Sequence, residues 1–295
     1  MFNRIKDSKK MENFNITRFG QALKCHVLVS RKSWIRLYGI FTLVMFMANL
    51  FWTRLQGIPY DEMVQYWPSD ISMHYDRNIE QSVVFGFIFF CISMLFGASG
   101  MFAQMKDTRK RSAYLLWPVT NLEKYVISVL LAIFLVAFIT FGAFVTADAL
   151  RVLVDWATGR IIIWGIPHLS DPFSGMAISP WQLSFMVFTL VLHFHSVYML
   201  GGTLFRRQQF LFTSIVIFVF SISLTLILNQ IDWSGVTFEP FKGNFNMETS
   251  QMEYVFYPSF YVCLGISWLF IVFHYWASYK LFTRMQVINN KWLNV

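Results

Sequence analysis

Six long apolar segments constrain the fold of this chain more than any other feature. They are residues 34–53, 82–104, 125–147, 182–204, 209–229 and 255–279. A helix needs about 20 residues to cross a bilayer core of about 30 Å, and every segment meets that length. The last five contain no Asp, Glu, Lys or Arg, and the first has only Arg36, near its start. We therefore predict an all-α, polytopic membrane protein with six transmembrane helices.

The low content of charged residues supports the same class. Only 14% of the 295 residues are charged and 56% are hydrophobic, whereas globular domains have roughly 25% charged residues. The net charge of +8 would suit a nucleic-acid partner in a soluble protein. In a membrane protein it reflects basic loops on one side, so we predict no nucleic-acid partner.

The Lys and Arg residues orient the predicted spans. Of the 24, 19 fall in the N-terminal region up to Arg36, in the C-terminal tail and in the connections after the second and fourth spans. Twelve of the 16 acidic residues fall in the opposite connections. Because short loops rich in Lys and Arg remain in the cytoplasm, we predict that both termini are cytoplasmic.

The chain divides into a short N-terminal segment, a membrane domain and a tail. We predict a cytoplasmic N-terminal segment over 1–33, a six-span transmembrane domain over 34–281 and a cytoplasmic tail over 282–295. Within the first segment, residues 14–33 have the apolar spacing of an amphipathic helix, in which Thr17 can be the N-cap. Such a helix lies in the membrane interface, either as a simple anchor or as an elbow that transmits motion to the spans.

The connection from Gln104 to Lys124 holds the densest internal charge run of the chain. Its basic residues precede a short apolar patch, Ala113–Trp117, and Pro118 ends the patch. We predict a short helix at about 109–117 on the cytoplasmic side, placed to meet a partner there.

Catalytic and nucleotide-binding motifs are absent from the sequence. There is no GxxxxGK[ST], HExxH or GxSxG, and the three cysteines form no CxxC. The acidic connection 54–81 carries carboxylates near His74, but no dense ligand motif, so we interpret it as a solvated loop. We predict no catalytic residues, no metal site and no cofactor, and hence that the chain is not an enzyme.

Histidines inside the spans leave a catalytic function open. His193 and His195 are two residues apart and therefore point to different faces of a helix, which disfavours a shared metal. With His274 they are candidates for catalysis in a membrane-embedded, lipid-modifying enzyme. A membrane scaffold or sensor that transports nothing is a further hypothesis.

The order of these parts resembles a known family, the permease (transmembrane) subunits of bacterial type-2 ATP-binding-cassette exporters. The resemblance includes a Pro-x-(Ser/Thr)-Asn-x-Glu-Lys element before the third span, which reads PVTNLEK over Pro118–Lys124. The connection 54–81 is longer than the tight turn common in that family.

The resemblance implies a function and a set of partners. The chain would be a multi-pass protein of the bacterial plasma (inner) membrane, paired with a second permease subunit, identical or different. It would move a substrate with ATP hydrolysed by a separate nucleotide-binding subunit. The resemblance assigns coupling to that subunit to seven residues of the 104–124 connection: Arg109, Arg111, Tyr114, Leu115, Leu116, Pro118 and Glu123.

Overall fold

A computed structural model describes residues 14–56, 71–102, 112, 114, 116–170, 176–177, 180–205, 208–230, 241–246 and 251–284. Its helices are α1 Ile16–Leu50, α2 Ile71–Gly100, α3 Asn121–Leu130, α4 Val136–Ala157, α5 Pro180–Leu204, α6 Gln209–Leu228 and α7 Pro258–Arg284. A π-helical segment, Phe51–Gln56, extends α1, another, Leu131–Leu135, joins α3 to α4, and a 3-10 helix covers Ile166–Ser170. The strands are β1 Met176–Ala177, β2 Phe241–Asn246 and β3 Gln251–Phe256.

The described helices provide six segments that are long and apolar enough to cross a membrane. Five of them are α1, α2, α5, α6 and α7, each over most or all of its length, and α3 continues through the π-helical turn into α4 as the sixth. The predicted all-α architecture with six spanning-length helices is therefore confirmed. The cytoplasmic placement of the termini stays a prediction.

The ends of the helices differ from the predicted ends. The first helix runs without a break from Ile16 to Leu50, so residue 33 is not a helix boundary. Nothing between the amphipathic segment and the span is a helix breaker, and the two therefore form one helix. The Asn15 side chain, rather than Thr17, caps it by accepting hydrogen bonds from the backbone N–H groups of Thr17 and Arg18 at 3.0 and 3.2 Å.

Two further helices extend beyond the predicted spans. The second helix begins at Ile71 instead of 82, and the third predicted span, which was to end at 147, continues as α4 to Ala157. The sequence interpretation ended both spans at the first charged residues. In α4 these charged residues, Asp148, Arg151 and Asp155, are paired with one another inside the protein, as described below.

The internal contacts of the chain define two compact units. The first unit comprises residues 1–19, 95–132 and 175–295, and the second comprises 20–94 and 133–174. In the first unit, α5 packs against α6 and α7, and α3 also contacts α7. The buried core of this unit is rich in aromatic side chains: Phe102, Tyr114, Tyr125, Tyr198 and Phe282, with Ala98, Ala132 and Met199.

Two helices of the first unit approach closely at Gly202 of α5. A β-carbon at this position would lie 2.8 Å from the backbone oxygen of Ser99 in α2. Small residues permit such contacts between membrane helices, because they let two backbones come together. Gly202 thus lets α5 and α2 pack closely at this point.

Replacing Gly202 by alanine should separate these two helices. We expect the free energy of unfolding to fall by about 1–3 kcal/mol relative to the variant Gly265→Ala, because the added methyl group meets backbone that cannot move aside alone. Gly265 has open space around its β-carbon position, so both variants gain the same helix propensity and only one gains a clash. Equal unfolding midpoints of the two variants in detergent would contradict this contact.

A small three-stranded sheet of the order β1-β3-β2 accompanies the helices of the first unit. β2 and β3 are antiparallel, with Phe241 opposite Phe256, and β1 adds a parallel pair that places Met176 opposite Met252. The sequence analysis did not predict it, because β2 reads FKGNFN, and glycine and asparagine are uncommon in strands.

The second unit has a smaller apolar core, and a buried polar contact joins two of its helices. Its buried apolar residues are Met45, Tyr75, Ile79, Val83, Phe144 and Ala147. Within the same unit, the Ser82 hydroxyl donates a hydrogen bond to the side-chain oxygen of Asn49, and both residues are buried. This bond joins α1 to α2 and satisfies two polar groups that would otherwise be costly away from water.

Candidate functional site

The Pro118–Lys124 element forms the start of α3. Thr120 is the N-cap, with extended backbone, and its hydroxyl accepts a hydrogen bond from the Glu123 N–H at 3.2 Å. The Glu123 carboxylate in return accepts from the Thr120 N–H at 2.8 Å. This reciprocal pair is a capping box, and it satisfies two backbone groups that a helix end leaves open. The motif is therefore a helix start signal whatever else it does.

The Glu123 carboxylate also holds the beginning of α1. Arg18 donates to it from Nε at 2.9 Å and from Nη2 at 2.7 Å, and the Asn15 N–H donates at 2.8 Å. Its side chain is completely buried, whereas that of Arg18 is 21% exposed. Paired nitrogens on a carboxylate give a strong and directional contact. Glu123 thus ties the N-terminal ends of α1 and α3 together, and no part of it faces outward.

Tyr114, a residue of the connection that leads to this junction, has a buried side chain. Its hydroxyl lies 3.3 Å from Ser128 Oγ, and its ring contacts the ring of Phe282. The Lys124 ammonium lies 5.8 Å from the centre of the Tyr114 ring, within the range of a cation–π contact. Burial raises the pKa of the Tyr114 hydroxyl to about 12, so this group stays protonated. Tyr114 therefore anchors the connection to the first unit.

Leu116 has the opposite environment. The Leu116 N–H donates to the Ser112 oxygen at 3.0 Å, a helical bond, and the chain turns directly before Pro118. The Leu116 side chain is 81% exposed, and Pro118 is exposed beside it. An apolar side chain at the end of a short helical turn is available for contact with another surface. Arg109, Arg111 and Leu115, the other predicted coupling residues, lie outside the described residues.

The histidines of the first unit occupy the contact between α5 and α7. The rings of His193 and His274 are 5.6 Å apart, and Ser196 Oγ lies 3.1 Å from His274 Nδ1. His195 instead shares a hydrogen bond of 2.8 Å with the Tyr275 hydroxyl. The two histidines of α5 therefore have different partners, as their spacing predicted.

A buried charge network in the second unit was missed by the sequence analysis. Arg151 donates to Asp148 at 2.6 Å and to Asp155 at 2.8 Å, and all three residues are at most 2% exposed. Asp155 also accepts hydrogen bonds from Arg54 at 2.8 Å and from the Tyr75 hydroxyl at 2.6 Å. These charges lie beyond the predicted span 125–147, in the part of α4 that the sequence analysis did not predict as helix.

The spacing of the network could have revealed it. Asp148, Arg151 and Asp155 follow one another at three and four residues, the spacing that brings charges together on one face of a helix. The sequence interpretation placed them in a connection because it ended the span before Asp148. The network matters for the adjoining segment, because Arg151 donates to the Ile163 oxygen and Asp148 accepts from the Gly165 N–H.

Comparisons of this chain with protein-family models, with curated proteins and with solved structures find no match. Function must therefore be inferred from the residues themselves.

Proposed function

We propose that this chain is the membrane-spanning permease subunit of a bacterial ATP-binding-cassette transporter. It would export a substrate across the plasma membrane with ATP hydrolysed by a separate nucleotide-binding subunit, and a second permease subunit would complete the path. One observation carries this proposal: the exposed Leu116 lies beside a junction, centred on the buried Glu123, that joins the ends of two spanning helices. The Pro118–Lys124 resemblance supplies the identity of the partner.

The junction suits a connection that must transmit motion. A displacement of the turn at Leu116 reaches α3 through Tyr114, which is packed inside the first unit, and through the capping box at Thr120. It reaches the start of α1 through the bonds from Arg18 and Asn15 to Glu123. A contact made at one exposed turn would therefore act on two segments that are each long enough to span a membrane, α1 and the continuous α3–α4.

The proposed coupling residues have two roles. Leu116 and Pro118 form the exposed contact, and Arg109, Arg111 and Leu115 contribute to it by the family resemblance. Tyr114 and Glu123 are positioning residues, because both side chains are buried within this chain. The chain has no nucleotide-binding motif of its own, so the energy must come from the partner.

Replacing Leu116 by aspartate should weaken binding of the ATPase subunit. Loss of a central apolar contact costs about 2 kcal/mol, or about thirtyfold in the dissociation constant. The variant Leu116→Met keeps an apolar side chain of similar volume and should bind like the wild type. The measurement is the amount of ATP-hydrolysing subunit recovered with each tagged variant from the same membranes. Equal recovery with Leu116→Asp would count against this contact.

A lipid-modifying enzyme is the second candidate, because the structure brings His193, His274 and Ser196 together. Ser196 is completely buried, however, and its hydroxyl donates to the His193 oxygen at 2.6 Å, so it does not face a substrate. Transport therefore remains the better proposal. Replacing His193, His195 and His274 together by alanine should leave the transport activity intact. Loss of that activity in the triple variant would favour the enzyme instead.

A further inference from the structure

We propose that Asp76, Glu80 and His168 form a binding site for a divalent transition-metal ion, with zinc as its representative. One ligand atom from each of these residues lies within 4.8 Å of the others. His168 Nε2 lies 3.0 Å from Asp76 Oδ1. All three residues belong to the second unit, and the site is independent of the proposed transport function.

The donor atoms select the class of metal. One imidazole nitrogen and two carboxylate oxygens suit zinc and its neighbours in the first transition row. Calcium and magnesium prefer sites made of oxygen alone. Ligand atoms on one zinc ion lie about 3–4 Å apart, since each bond is about 2 Å long. The three ligand atoms therefore need to move only slightly closer together to bind one ion. The Glu80 side chain is exposed and can make this movement.

Charge favours a cation at this place. The two carboxylates carry two negative charges, and His168 offers at most one positive charge, so the three groups together have a net negative charge. An ordinary His168–Asp76 ion pair would be partly exposed, with side chains 21% and 41% accessible, and such pairs contribute little stability.

The ligands come from two separate segments that are both firmly supported. Asp76 and Glu80 are four residues apart in α2 and hence lie on one face of the helix. His168 belongs to the 3-10 helix Ile166–Ser170, which begins directly after Gly165. A metal ion would join α2 to this 3-10 helix.

The buried charge network around Arg151 holds both segments in place before any metal binds. On one side, the Tyr75 hydroxyl, next to Asp76, donates to Asp155 at 2.6 Å. On the other, Asp148 accepts from the Gly165 N–H at 2.9 Å, and Arg151 donates to the Ile163 oxygen at 2.6 Å, both just ahead of His168. Metal sites depend on such supporting bonds, because ligands held in place lose little freedom when the ion binds. The network supplies this support to both sides of the proposed site.

Zinc binding to the purified full chain tests the proposal. The protein is prepared in detergent with an affinity tag that contains no histidine, stripped with a chelator, and titrated with Zn²⁺ alone in a calorimeter. We expect one zinc ion per chain, and affinity at least about tenfold weaker in His168→Ala and in Asp76→Asn. His274→Ala removes a histidine of the first unit and should bind zinc like the wild type.

Thermal unfolding provides a readout that does not require equal stability of the variants. At one zinc concentration, zinc should raise the midpoint of the wild type and of His274→Ala, since a ligand stabilises the state that binds it, and should raise that of His168→Ala less. A wild-type chain that binds no zinc overturns the proposal. Undiminished binding by His168→Ala, or loss of binding in His274→Ala, also overturns it, because the metal would then be held elsewhere.

Discussion

Replacing Arg151 by methionine should lower the free energy of unfolding by about 3–5 kcal/mol, the usual cost of breaking a buried ion pair by removing one partner. Arg151 is 1% exposed and donates to both Asp148 and Asp155. Without it, two carboxylates remain buried, and only Asp155 keeps a cationic partner, Arg54. The methionine side chain fills most of the space, so the loss reports charge rather than a cavity.

The measurement is the unfolding midpoint in a mild detergent, with Arg77→Met as the matched control. Arg77 is exposed and lies in α2, so its replacement should change the free energy of unfolding by less than about 0.5 kcal/mol. The Arg151 variant should also bind zinc more weakly, because the segment that carries His168 loses its bond from Arg151. Similar midpoints for the two variants would show that the buried network contributes nothing to stability.

Replacing Glu123 by alanine should cost about 3 kcal/mol of stability and uncouple α1 from α3. The change leaves the Arg18 guanidinium without this carboxylate, and the backbone N–H groups of Asn15 and Thr120 lose their acceptor. Arg18 is partly exposed and regains water, so the cost lies at the lower end of the range for buried pairs. Glu123→Gln keeps an acceptor for the N–H groups and should cost less.

A double-mutant cycle separates the ion pair from the cap. With Arg18→Met as the second change, we expect a coupling energy of about 1 kcal/mol or more between the two positions. A coupling energy near zero would mean that the Arg18–Glu123 contact adds nothing beyond the capping box.

Because Glu123 is buried, Glu123→Gln should still bind the ATPase subunit, unlike Leu116→Asp. If Glu123→Gln and Leu116→Asp both failed to bind the ATPase subunit, Glu123 would belong to the docking surface.

Hydropathy was sufficient to predict the six spanning-length helices, because a bilayer imposes one length and one composition on every span. It failed at the helix ends, because α2 and α4 both continue through charged residues beyond the apolar segments. Asp148 and Arg151 satisfy each other inside α4, and a rule that ends spans at charges cannot detect this.

The candidate sites were predictable to different degrees. The Pro118–Lys124 element was evident in the sequence, but its meaning as a capping box with Arg18 as a distant partner required the structure, since nothing local points to Arg18. The Asp76–Glu80 pair was interpreted as part of a solvated loop, and His168 was not singled out at all. Residues so far apart in the chain meet only through the fold.

ATP hydrolysis by the isolated complex tests the central claim most directly. The tagged full chain is recovered from its native membranes in mild detergent, and the recovered material is assayed for ATP hydrolysis and for a P-loop subunit. We expect both to be present with the wild type, and both to be lost when Arg109 and Arg111 are changed together to glutamate. A wild-type chain recovered alone and fully active, with neither a P-loop subunit nor ATP hydrolysis, would contradict the account.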